Sequence, residues 1–426
     1  MGLLTLFGGA APPPVVVQGY IPGLLVEFDR GDLIEFGFVL DDPQKSLLDA
    51  GNTLDRTSVI TWDEDIRPWV RSGSTDRGGQ RELERTAEAG TGHLVLDNRD
   101  KRFTPFFVGS PYHPDIIPLR RMRIRASWDD VIYPVFQGFV ESWPVTFPDH
   151  GDNIVTVQLV DGFELLANDG AKVSGDFAQQ QTGERVEAVL VAAGFAPDEM
   201  LIETGVSTVQ AVTLDNANVL EHIQQMAKVE QGRFFVDRAG LFVFTERGST
   251  GSPDMSTRTW ADDGAGMSYK DVTLVFSKSL ILNDVRLTRE GGAEQVVTDN
   301  ASYRRYNTRT KVETGLPLSD DAQVLDLAQR YIDRYHEPEL RIEGLIDDAM
   351  QHRLWDRVLD RELGDLVTVV ESETGIAQVS AIEGISHEIG QDTWVVTLRV
   401  SPTVVENYAR LDDPAFRLDD NFILGR

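Results

Sequence analysis

The sequence predicts a mainly β chain with α/β insertions: two similar small β-barrels in one chain, plus a small α/β module. Three observations carry this. Many short segments alternate apolar and polar residues, the period of a half-buried strand. One strand–turn–strand meander occurs twice. Leu119–Val160 and Leu363–Val400 share element order, lengths and a glycine inside the second strand, Gly138 in one and Gly384 in the other. A glycine in that place suits the corner of a small barrel. Residues 182–246, between the meanders, change to helical stripes followed by a hairpin.

Residues 1–18 are expected to form an N-terminal arm. The stretch 1–17 is apolar but has no basic start, and Pro12-Pro13-Pro14 would break a helix, so it suits neither a signal peptide nor a membrane span. The first barrel domain is placed at 19–170. Val15–Leu40 alternates between Gly19, Gly23, Gly31 and Gly37 as short strands do. Trp62–Val70 reads as a further strand and Arg71–Gly79 as a Gly/Ser-rich turn. Gln80–Glu88 is ambiguous: its Arg, Glu, Leu and Ala favour a helix, yet Leu83 alone gives a helix no stripe to bury. The meander follows as Leu119–Ala126, Val131–Trp143 and Asn153–Leu166. In it Met122 and Ile124 share one face, and Arg121, Arg123 and Arg125 share the other, positioned to pair with carboxylates of a neighbouring strand or subunit.

The α/β module and its linker are assigned to 171–270. Val186, Val189, Leu190 and Ala193 form one helical stripe, ended by Gly194. Asn216 is the expected cap of a second helix, whose face is Val219, Leu220, Ile223, Met226 and Ala227. Arg233–Val236 and Leu241–Thr245 flank a hairpin turn, Asp237-Arg238-Ala239-Gly240. Gly248–Gly266 reads as a linker. The second barrel domain, 271–402, starts with strands at Val272–Phe276 and Ile281–Thr288. It includes a helix over 319–336, capped by Ser319, with the stripe Val324, Ala328, Tyr331 and Tyr335. Pro338 stops that helix, and Leu340–Ile346 is another strand. Residues 403–426 form a C-terminal segment.

The stretch Ala89–Pro105 is the most distinctive. Leu94-Val95-Leu96 is a short buried strand that stops abruptly. Asp97 and Asn98 then offer side chains that bond nearby backbone, and Pro105 bars a central strand beyond. A calcium loop is excluded, since Arg99 would stand at its third ligand position and no Gly and distal Glu follow at the required spacing. A plain solvated loop remains the alternative for Asp97-Asn98-Arg99-Asp100 taken alone. In order, Ala89-Gly90-Thr91, then Leu96, Asp97, Asn98, Asp100, Arg102, Phe103, Pro105 and Ser110-Pro111-Tyr112 resemble a signature of minor tail proteins of long-tailed (siphovirus-type) bacteriophages. Those proteins are similar to the trimeric tail-tip, or baseplate, hub. Many relatives carry Gly where this chain has Lys101, a departure in the turn after Asp100. Only the resemblance gives Gln80–Glu88 its extended reading, as a stretch leading to Ala89-Gly90-Thr91.

The resemblance implies a structural virion protein at the tail tip, assembled in the host cytoplasm. It would close the tail tube, adapt threefold to sixfold symmetry and join the distal tail ring to the tip for DNA ejection. The partners implied are two more copies of the chain, a distal tail protein hexamer, the tape measure protein C-terminus and other tail-tip or receptor-binding proteins. The repeat points the same way independently, since three chains with two barrels each present six around an axis. The family-motif residues Asp97, Asn98, Asp100, Arg102, Phe103 and Pro105 are read as a structural turn.

The 426 residues suffice for two to four cored domains, and 41% apolar with 26% charged residues is ordinary for globular protein. The absence of cysteine excludes disulfides and thiolate metal sites. A formal net charge of −29 argues against sequence-specific nucleic-acid binding, yet suits a channel through which DNA slides. No His-Glu-x-x-His, phosphate-binding glycine loop or Gly-x-Ser-x-Gly is present. No catalytic, cofactor or metal residue is therefore nominated, and no enzyme activity is expected. The alternative function is a peripheral tail-tip protein binding a host cell-surface glycan through exposed Trp128, Trp143 and Trp260.

Overall fold

The computed structural model describes residues 21–29, 62, 64–79, 88–149, 151–167, 171–249, 258–338 and 340–402. The expected arm at 1–18, the segment 403–426 and nearly all of 80–88 lie outside the described residues. So do residues 30–40 of the first strand region.

The first barrel is built from β1 (Gly23–Phe28), β2 (Glu64–Asp65), β3 (Val70–Gly78), β4 (Thr91–Asp97), β5 (Arg121–Trp128), β6 (Val131–Ser142), β7 (Val145–Thr146) and β8 (Ile154–Val160). Its strand order is β3-β4-β8-β6-β5-β1-β2. β2 runs through the short turn Arg67–Trp69 straight into β3, so the chain itself links the two ends of this order. Alternation places Met122, Ile124 and Ala126 of β5 fully inside. On the other face, Arg123 and Arg125 pair with Glu27 of β1 at 2.9 and 2.5 Å. Phe163–Ala167, read as the end of a strand, is instead a helix, α1. Phe163 and Leu166 sit at helical spacing and bury one face.

The α/β layer begins with β9 (Lys172–Phe177), β10 (Gln180–Gln181), α2 (Thr182–Ala192), β11 (Met200–Ile202), β12 (Thr208–Val209), β13 (Val212–Asn218), α3 (Val219–Glu230), β14 (Arg233–Val236) and β15 (Phe242–Thr245). Asn218, not Asn216, caps α3, its side chain accepting from Glu221 N at 3.0 Å. Then come β16 (Thr259–Ala261), β17 (Tyr269–Phe276), β18 (Asp284–Arg289), β19 (Gln295–Thr298), α4 (Asn300–Tyr306), β20 (Thr310–Leu316) and α5 (Asp321–Tyr335). Asp320 rather than Ser319 caps α5. The chain finishes with β21 (Leu340–Asp347), α6 (Ala349–His352), α7 (Trp355–Leu359), β22 (Leu366–Glu371), β23 (Ile376–Ile389) and β24 (Trp394–Pro402).

Two corrections concern boundaries. The helix predicted at 319–336 does not belong to the second barrel. Its buried face, from Val324 to Tyr335, shares a core with Val186, Ile223, Phe234, Leu282, Val285 and Leu287. The amphipathic stripe needs an apolar partner, and β18 and β19 supply it, in a core that continues into 163–244 and not into the barrel. Backbone bonds from Ser319 N to Thr208 O (2.9 Å) and Gln210 N to Pro317 O (2.8 Å) sew the pieces together. The module is thus assembled from two separate insertions. The supposed linker at 248–266 also contains β16, which pairs in parallel with β22 and buries Trp260 completely.

The second barrel follows the order β17-β21-β24-β23-β22-β16. Hydrogen bonds from Ala261 N to Met267 O (2.9 Å) and Met267 N to Thr259 O (2.8 Å) tie β16 back to the start of β17. In order, this repeats β3-β4-β8-β6-β5-β1 of the first barrel; the last pair differs in direction, since β1 runs antiparallel to β5 whereas β16 runs parallel to β22. The match extends to single bonds. Leu119 N donates to Val140 O and Val140 N to Arg120 O, while Gly364 N donates to Ile382 O and Ile382 N to Asp365 O. Leu119 and Gly364 both have left-handed backbone, φ 62° and 87°. The shared glycine, however, is not an equivalent position. Gly138 precedes Val140 by two residues, whereas Gly384 follows Ile382 by two. Each glycine nevertheless meets a close neighbour: a Cβ would collide with the Val160 carbonyl at Gly138 and with the Arg399 guanidinium at Gly384.

β3 pairs with β4 on one edge and with β23 on the other, so both barrels share one sheet of 14 strands among the described residues. The Gly/Ser-rich turn expected at Arg71–Gly79 is therefore this joining strand. Its small residues fit between two backbones; a Cβ on Gly78 would run into the Glu383 carbonyl.

Candidate functional site

The stretch 97–119 joins β4 to β5 and forms a firmly held loop at the end of the first barrel. Asn98 is fully buried. Its backbone N donates to Asn153 O at 2.9 Å, so it caps the end of β4 against the start of β8. Its side-chain oxygen accepts from Phe103 N and its amide donates to Thr104 Oγ1, both at 2.9 Å. Asp97 is half-buried and accepts from Arg99 N and Nε at 3.0 Å, with Arg71 3.3 Å away. The bond from Arg99, helped by the Arg71 charge, holds its carboxyl down to about 2.

Asp100 accepts from Arg102 N at 3.2 Å and from Arg102 Nε at 2.7 Å, and the Arg102 bond lowers its carboxyl below the usual range. The Arg102 guanidinium lies 3.8 Å from the Trp69 ring centre, a cation–π contact anchoring the loop to the start of β3. Phe103 is fully buried, stacked on Tyr112 at 5.3 Å and on Trp143 at 6.5 Å. Ser110 Oγ donates to Arg102 O and accepts from Tyr112 N. Lys101 takes the left-handed conformation (φ 64°), so the turn keeps a shape that glycine would adopt without strain.

Backbone bonds then recur every three residues: Lys101 N to Asn98 O, Thr104 N to Lys101 O, Phe107 N to Thr104 O, Ser110 N to Phe107 O and His113 N to Ser110 O. Half-buried Pro105 lies where the chain turns outward. Just beyond it, Phe106 is 92% exposed and Val108 80% exposed, with Phe107 at 37%. Phe106 also has left-handed backbone, φ 59°. For a bulky apolar residue that combination is uncommon, and it presents the ring to solvent on a rigid base. The motif residues Asp97, Asn98, Asp100, Arg102 and Phe103 thus meet in one network. The sequence reading passed over the tip, although Phe106-Phe107-Val108 between Pro105 and Gly109 is an apolar run in turn surroundings.

The aromatic residues proposed for glycan binding are placed elsewhere. Trp143 and Trp260 are buried in the barrel core, and half-buried Trp128 packs 6.5 Å from Trp355. Their large apolar rings fill the barrels, which removes the basis for that alternative. Among the described residues, no group of His, Asp or Glu is arranged to hold a metal ion, and no helix is long and apolar enough to cross a membrane.

Paired β-barrels with a common strand order, fused through one strand and carrying an α/β layer, define the architectural class. No protein-family model and no curated protein matches the sequence. Among solved structures, the tail protein from Neisseria meningitidis MC58 is similar at 13% identity and TM-score 0.56, covering 80% of this chain and 93% of that one. The 43 kDa tail protein of prophage MuSo2 from Shewanella oneidensis is similar at 15% identity and TM-score 0.51, covering 78% and 94%. The chain has the fold of phage tail proteins.

Proposed function

We propose that this chain is a structural virion protein, a trimeric hub at the phage tail tip. It closes the tail tube, converts threefold to sixfold symmetry and joins the distal tail protein hexamer to the tip, holding the tape measure C-terminus until DNA ejection. The observation that carries this is the repeated barrel. One chain holds two circuits with the same strand order and a left-handed residue at the same place before the meander, so three chains offer six similar barrels to a sixfold ring. The tail-protein fold and the network around Asn98 support it. Its strong acidity favours an axial channel that lets DNA pass without adhering. No enzymatic step is assigned to it, and its place is the virion tail after assembly in the host cytoplasm.

A cryo-electron microscopy reconstruction of the tail tip tests the proposal. Three copies of this chain in a pseudo-sixfold ring of barrels are expected. Six copies, or a position on the periphery, would overturn it.

A further inference from the structure

The two barrels carry equivalent connections that end differently. In the second barrel, residues 348–363 lead from β21 to the left-handed Gly364, as residues 98–118 lead from β4 to the left-handed Leu119. Each connection packs an aromatic ring on its own barrel, in the region between the last two meander strands. Phe103 lies on Trp143 at 6.5 Å and Trp355 on Trp394 at 6.1 Å. The second connection also has an outer contact. Trp355 reaches Trp128 at the end of β5, and Asp356 and Asp360 stand beside Tyr133 of β6, so α7 covers the β5–β6 end of the first barrel. The first connection has no such covering contact among the described residues: its outer face is Phe106, Phe107 and Val108.

The β22–β23 end of the second barrel is the counterpart of the end that α7 covers. It is open, with residues 372–375 and Ala377 exposed. It is also acidic, as Asp262, Asp263, Glu371 and Glu373 surround half-buried Tyr269. The apolar tip brings the opposite charge, since exposed Lys101 lies 5.9 Å from the Phe107 ring centre.

We propose that the Phe106–Val108 tip of one copy docks on the β22–β23 end of a second copy, repeating between chains the contact that α7 makes within one. Such a contact is head-to-tail, and it closes into a ring when the rotation per copy is one third of a turn. It rests on the trimeric reading above and names the contact that would build the trimer.

The chain has no cysteine, so introduced pairs report cleanly. In the full chain, Val108→Cys combined with Glu373→Cys should, on mild oxidation, give covalent species up to a trimer, with mass spectrometry finding the 108–373 link. Each single variant should give no ladder. Phe106→Asp with Val108→Asp should weaken association by on the order of tenfold or more, without lowering the melting temperature. A native trimer by light scattering that lacks the 108–373 link overturns the contact and leaves the trimeric hub standing. A chain that stays monomeric also overturns the contact, as does a monomeric Val108→Cys variant whose thiol is shielded from reagent. The copy number in the tail tip then judges the hub proposal by itself.

Discussion

Asn98 illustrates how much one side chain can organise. It is buried with both side-chain functions bonded, so Asn98→Ala leaves Phe103 N and Thr104 Oγ1 without partners and should cost about 1–3 kcal/mol. Asp97→Ala should cost less, under about 1 kcal/mol, because its partners Arg99 and Arg71 are arginines that water can serve. Thermal melts of the two single variants check this ordering; an unchanged midpoint for Asn98→Ala would refute it. His387 sets a pH dependence. Burial, with Arg77 and Arg238 nearby, pushes its imidazole down to about 3, and its Nδ1 accepts from Trp394 Nε1. The folded value lies below the ordinary 6.5, so the neutral form is the stable one. That stability is whole above about pH 6.5 and drains away as pH falls towards 3. Between pH 7.5 and 5 the share of this loss that belongs to His387 is on the order of 2 kcal/mol; buried His222, lowered to about 4, loses stability over the same range, and buried Asp161, raised to about 7, gains it. Urea titrations at the two pH values on wild type and on His387→Gln should show the His387 share as the difference between the two proteins: the wild type should lose about 2 kcal/mol more than the variant on going to pH 5.

Equivalent elements in the two barrels use different residues for the same backbone shape. Leu119 meets the left-handed requirement with an exposed side chain, while Gly364 meets it freely. Leu119→Gly should therefore gain up to about 1 kcal/mol, and Gly364→Ala should lose about 1–2 kcal/mol. The added methyl at Gly364 meets only ordinary contact with Arg233, so backbone strain alone decides the sign. Denaturant midpoints moving in opposite directions would support the equivalence; movement in the same direction would break it. The predicted glycine equivalence failed for a related reason. A glycine in a strand records a close neighbour, and the two neighbours here are a carbonyl in one barrel and an arginine in the other.

At the scale of the whole molecule, the barrels share a strand and a continuous apolar core, from Val26 and Phe136 to Trp355 and Leu398. They should unfold together, giving one calorimetric transition for both; two transitions, each silencing one barrel's tryptophans, would contradict the shared core. What the sequence by itself determined was local. Period-two alternation exposed the strands of the meanders, the stripe from Val324 to Tyr335 exposed its helix, and the Asp97–Pro105 stretch exposed a turn. These signals survive because each depends on residues close in the chain. What only the tertiary structure decided was partnership. Arg71–Gly79 reads as a turn from its composition, yet it becomes the strand joining the barrels because two edges approach it and need small residues. Helix α5 reads as part of the second barrel, yet it packs on β18 and β19, whose core continues into residues 163–244, since apolar faces pack where the opposing surface fits. Phe106 to Val108 stay exposed for the converse reason: nothing among the described residues comes round to cover them.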